Sequence, residues 1–80
     1  MNLTPEASRA ARALLGWSMR DLAAAAAVAI GTVQSFEAGE KTPHGTTLAK
    51  LVAAYDAHGV EVISDTDRAG AVLVFAKRKG

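Results

Sequence analysis

The stretch from Ser18 to Gly39 leaves this chain few ways to fold. Ser18 can cap a helix, and Asp21, three residues on, can reach back to close a capping box. Leu22 and Ala26 then share one face of that helix. Ala29, Val33 and Phe36 share one face of the next, at the spacing a buried stripe requires. Gly39 stands where a left-handed C-terminal cap belongs. The pattern predicts two short helices, over about 18–26 and 30–38, joined by a tight turn.

The flanking sequence is punctuated as clearly. Thr4-Pro5-Glu6 reads as a helix start: a threonine cap, proline at the first helical position and an acid in the first turn. Ala7, Ala11, Leu14 and Leu15 give this first helix its expected buried side, and Gly16 ends it. Pro43-His44-Gly45-Thr46 reads as a loop, with Thr46 or Pro43 opening a fourth helix. There Leu48, Leu51, Val52 and Tyr55 recur at i, i+3, i+4 and i+7, and Gly59 closes the element. Beyond Gly59 the period changes. Residues 60–64 and 71–76 are β-branched or aromatic runs around a polar segment, 65–70, which predicts a two-stranded hairpin. The second run is apolar on both faces, and an isolated hairpin is poorly stable and leaves an open edge. It is therefore expected to pack on the helices and to pair with a second copy through Val62, Val72, Val74 and Phe75. The alternative is a hairpin that only closes over the core of one chain.

Composition sets limits. Eighty residues make one small domain, half of them apolar but only 5% aromatic, so its core is built from Ala, Leu and Val. A core of that size gives thin stability, which a dimer would reinforce. With no cysteine, disulfides and thiolate metal sites are excluded, in keeping with a reducing cytosol. The start Met1-Asn2-Leu3-Thr4-Pro5-Glu6 lacks the basic and apolar regions of a secretion signal, and the alanine-rich run 22–30 is too short to span a bilayer. A cytoplasmic, nucleoid-associated protein with no membrane partner is expected. A net charge of +1 argues against tight non-specific binding to nucleic acid as the main task. His44 and His58 have no metal-site spacing, the serines are explained as helix surfaces, a cap and a strand end, and no glycine-rich phosphate loop occurs. Neither an enzyme nor a cofactor is expected, and no sensor domain fits within this length.

Taken together, Ser18 to Pro43 resembles the helix-turn-helix of the Cro and phage-repressor type, the Xre-like family of small transcription regulators. The likeness extends back over Leu14-Leu15-Gly16-Trp17-Ser18, forward through Phe36-Glu37-Ala38-Gly39-Glu40-Lys41-Thr42-Pro43, and more weakly to about Val62. The resemblance implies a mainly α fold. Residues 1–59 would form a four-helix lambda-repressor-like DNA-binding domain with the helix-turn-helix at 18–39. Residues 60–80 would form a β-hairpin and basic tail that pairs across a dimer. It further implies a dimeric, sequence-specific regulator of transcription. Its partners would be double-stranded DNA, a second copy of itself, and another regulator or RNA polymerase.

Residue roles follow from the same likeness. The bases would be read by Ile30, Gly31, Thr32, Gln34 and Ser35. Met19 stands where the family has a phosphate-anchoring glutamine, so that contact is lost or passes to Arg20; Met19, Arg20, Lys41, Thr42 and His44 make up the expected phosphate set. Arg12 and Glu37 fall where the family has a buried ion pair. Trp17 is expected to pack at a helix junction, and Lys77-Arg78-Lys79 to be a solvated basic terminus, with contact to flanking phosphates as the alternative. Two positions depart from the pattern: Ala27 replaces the usual turn glycine, and Ala29 the usual Ser or Thr cap. A second function class stays open, a protein-interaction module (antirepressor, co-regulator or toxin partner) that uses the hairpin edge by strand addition.

Overall fold

The computed structural model describes residues 3–64 and 69–73 as α1 (Pro5–Leu15), α2 (Met19–Ala26), α3 (Ile30–Glu37), α4 (Gly45–Ala57), β1 (Val60–Ser64) and β2 (Ala69–Leu73). The helix ends are set by local chemistry. Thr4 caps α1 by accepting the Ala7 N–H at 3.1 Å, and Pro5 costs nothing at a position whose amide has no partner. At the other end Gly16 adopts φ 68°, and the Trp17 N–H folds back to the Arg12 carbonyl at 2.9 Å. α4 opens at Gly45, between the two starts expected at Pro43 and Thr46. Extended His44 is its cap residue, and the His44 carbonyl accepts the first helical bond, from the Leu48 N–H.

The core joins α1 (Ala7, Ala11), α2 (Leu22, Ala23, Ala26), α3 (Val33, Phe36), α4 (Leu51, Ala54, Tyr55) and β1 (Val60, Val62), with Leu3 from the N-terminal segment. Small alanines on α1 and α2 let the larger Leu, Val, Phe and Tyr side chains of their neighbours fill the interior. Leu48 and Val52 pack at its margin. Three expectations about faces are corrected here. Leu14 is 45% exposed, because the buried face of α1 runs through Ala7, Ser8 and Ala11 instead. Ser8, expected on a helix surface, is fully buried. Ala29 is exposed at the start of α3 and shares no buried stripe with Val33.

β1 and β2 pair antiparallel, with Val60 opposite Leu73 and Ser64 opposite Ala69. β2 thus starts two residues before the expected boundary. Ala69 and Gly70 carry little strand preference, and pairing to Ser64 and Ile63 overrides it. Both strands lie beside α1, and β1 also meets α4. Along β1 the side chains alternate, Val60 and Val62 inward and Glu61 outward. Val62, expected at a dimer contact, is only 5% exposed and belongs to the core of the single chain. The segment between the strands, together with Val74, Phe75 and Lys77-Arg78-Lys79, lies outside the described residues. No described helix is long and apolar enough to cross a membrane.

Candidate nucleic-acid interface

α2 is locked at its start. The Asp21 N–H donates to Ser18 Oγ at 3.0 Å, and the Ser18 N–H donates to Asp21 Oδ2 at 2.9 Å. At its end Ala27 stands in the left-handed region, at φ 58° and ψ 46°, the one described non-glycine residue with positive φ. The Val28 N–H then reaches the Ala23 carbonyl at 3.0 Å and the Ala27 N–H the Ala24 carbonyl at 3.3 Å, so the turn closes as a glycine would close it. α3 begins immediately afterwards, with Ala29 as a cap residue whose side chain makes no hydrogen bond. Its far end closes at Gly39, φ 77°, where the Glu40 N–H donates to the Ser35 carbonyl at 2.9 Å.

Val33, Phe36 and Glu37 face inward from α3, which turns Gly31 and Gln34 to solvent and leaves Ile30, Thr32 and Ser35 half-buried. No atom lies within 4 Å of the place a Gly31 side chain would occupy, so the outward backbone there is bare. Gly31, Thr32 and Ser35 form one wall of an open cleft of about 600 Å³. Lys41, Thr42 and His44 form the other, with Ala29, Pro43 and Thr47 completing it. The cleft therefore gathers three of the expected base-reading positions and three of the expected phosphate-contacting ones. Ile30 and Gln34 lie outside it. Thr47 was not among the expected residues, although its place in the first turn of α4, just past the Lys41–His44 loop, was a usable signal.

The phosphate set divides by exposure. Arg20, Lys41, Thr42 and His44 are exposed. Met19 is half-buried and packs on the core, so its side chain serves the fold. Arg20 and Lys41 have no ion pair among the described residues, whereas Arg9 and Arg12 are both engaged with Glu37.

That engagement fixes the end of α3. Glu37 is 7% exposed, and its carboxylate receives Arg12 Nη2 at 2.7 Å, Arg12 Nε at 2.9 and 3.1 Å, and the Ser8 hydroxyl at 2.7 Å. Arg9 Nη1 donates to the Glu37 backbone carbonyl at 2.6 Å. The Tyr55 hydroxyl lies 2.8 Å from Ser8 Oγ and donates to the Ser8 carbonyl at 3.0 Å, which brings α4 into the same network. Hydrogen bonding to Glu37 raises the Arg12 pKa above its ordinary value, against a smaller opposing effect of burial. Burial pushes the Tyr55 phenol up to about 12. Among the described residues no buried side-chain polar atom lacks a partner. Trp17 packs as expected of a junction, stacked on Tyr55 with centroids 6.0 Å apart and edge-on to His58 at 4.8 Å. No group of His, Cys, Asp and Glu among the described residues is placed to hold a metal ion.

Compared with known proteins, residues 9–62, more than half of the chain, match a family model described as helix-turn-helix. No curated protein matches the chain.

Proposed function

The chain belongs to the helix-turn-helix family of the Cro/C1, Xre-like type, a family of DNA-binding regulators, and on that premise we propose that it is a dimeric, sequence-specific regulator of transcription. α3 enters the major groove, and Ile30, Gly31, Thr32, Gln34 and Ser35 face the base edges. Arg20, Lys41, Thr42 and His44 hold the backbone on either side. The observation that carries this reading is the cleft in which Gly31, Thr32 and Ser35 face Lys41, Thr42 and His44. One cation, Lys41, and several hydroxyl groups stand there beside an outward helix face that has no charge of its own. With Val62 in the core of one chain, pairing between copies falls to Val72, Val74 and Phe75 of the C-terminal element.

Selection of bound duplexes from a randomised DNA pool at physiological salt tests this proposal. A two-fold symmetric motif with half-sites about 10 bp apart is the expected result. Sedimentation of the protein alone should give a dimer. Failure to enrich any sequence would refute the regulator reading and favour the interaction module, whose binding should survive Arg20→Ala and Lys41→Ala.

A further inference from the structure

We propose that Ile30 and Gln34 form a reader of A·T base pairs, in which Ile30 packs on a thymine methyl and Gln34 pairs with the adjacent adenine edge. The inference rests on the DNA-binding reading and adds to it the chemistry of the bases chosen. Ile30 and Gln34 are four residues apart, so they lie on one flank of α3. Ile30 is half-buried: part of its side chain rests on the core while the rest is open at the helix end that leads into the groove. Gln34 is exposed.

Between them in sequence, Gly31 has open space where a side chain would stand, so the helix can sit close enough for these two short-reaching groups to touch base edges. What α3 lacks is equally informative. It carries no Arg or Lys, the side chains that pair with guanine O6 and N7, and its single charge, on Glu37, is buried in the Arg12 pair. A glutamine amide matches adenine N6 and N7, and an apolar side chain matches the methyl that distinguishes thymine. Both partners on the DNA therefore belong to A·T pairs.

The experiment uses the duplex recovered by selection, with deoxyuridine placed in turn at each thymine. Uracil keeps every hydrogen-bonding group and removes only the methyl. Burying one methyl changes affinity by a factor of about 4, so loss of one in each half-site of a two-fold operator weakens binding about 15-fold. In parallel, a deaza-adenine lacking the N7 acceptor should weaken binding by wild type and leave Gln34→Ala unaffected. Ile30→Ala should bind the thymine and uracil duplexes equally. Because Ile30 also touches the core, the uracil series with wild-type protein stands as a readout that needs no variant. Equal binding of thymine and uracil duplexes at every position would overturn the inference while leaving the regulator reading intact. Retention of full discrimination by folded Ile30→Ala would overturn it as well. Failure to enrich any duplex would refute both.

Discussion

Ala27→Gly should make this protein more stable. Ala27 sits at φ 58° and ψ 46°, a conformation that costs a residue with a Cβ about 1–2 kcal/mol and glycine almost nothing. Its side chain is exposed, so removing the methyl sacrifices no packing. Against the gain stands the greater freedom of glycine in the unfolded chain, about 0.4–1 kcal/mol. The difference is a net stabilisation of about 0.5–1 kcal/mol. For a domain of this size that raises Tm by about 2–8 °C, since each kcal/mol moves it about 4–8 °C. Thermal and urea unfolding followed by circular dichroism would measure it, with an unchanged denaturant slope expected.

Ala24→Gly supplies the control. Ala24 is also exposed, but it lies inside α2 in right-handed conformation, where the same chemical change should cost about 1 kcal/mol. Opposite signs for one substitution at two exposed sites three residues apart would isolate the backbone angle as the cause. A Tm for Ala27→Gly equal to or below wild type, at constant slope, would refute the reasoning.

Glu37→Ala should cost about 3 kcal/mol in urea unfolding, because it strands the mostly buried Arg12 guanidinium and removes the acceptor of Ser8; a loss below about 1 kcal/mol would mean the pair is unimportant. Tyr55, the only tyrosine, has a folded pKa of about 12 against 10.0 for the free group, so the folded state holds its proton longer. Its contribution is therefore complete below pH 10 and is lost as pH rises towards 12, with tyrosinate absorbance appearing as the protein unfolds. Appearance of tyrosinate near pH 10 without unfolding would contradict this. Lys41→Ala should weaken binding to all duplexes and reduce the slope of log affinity against log salt by about 0.9 per protomer, measured by fluorescence anisotropy. An unchanged slope would remove Lys41 from the backbone contacts.

Much of this fold was legible because its signals are local. Thr4, Ser18 with Asp21, Gly16 and Gly39 mark helix ends within a few residues of themselves, and three helices, α1 to α3, follow from them. The Leu48–Tyr55 spacing placed the buried side of α4 at Leu51 and Tyr55. What escaped was long-range. Ser8 reads as a surface residue until Glu37 and Tyr55, 29 and 47 positions away, arrive to satisfy its hydroxyl. Leu14 reads as core until Ser8 takes the buried face of α1. Val62 carries the alternation expected of a strand, yet alternation cannot say whether the covering surface is its own chain or another. For the interface, the family likeness named the residues on α3 and the loop after it. Thr47 became visible only when the fold closed the cleft around it.

The network at Glu37 also bears on how this protein can change over generations. Three side chains of α1 grip the last residue of α3, while the outward positions Gly31 and Gln34 are exposed and no side-chain hydrogen bond among the described residues ties them to the rest of the fold. Replacing those outward positions leaves the clamp untouched and draws little on a narrow stability margin. If α3 reads base edges as proposed, new target preferences are accessible by single substitutions that the fold does not register. Descendants of one ancestor would then part ways in the sites they recognise long before they part ways in shape.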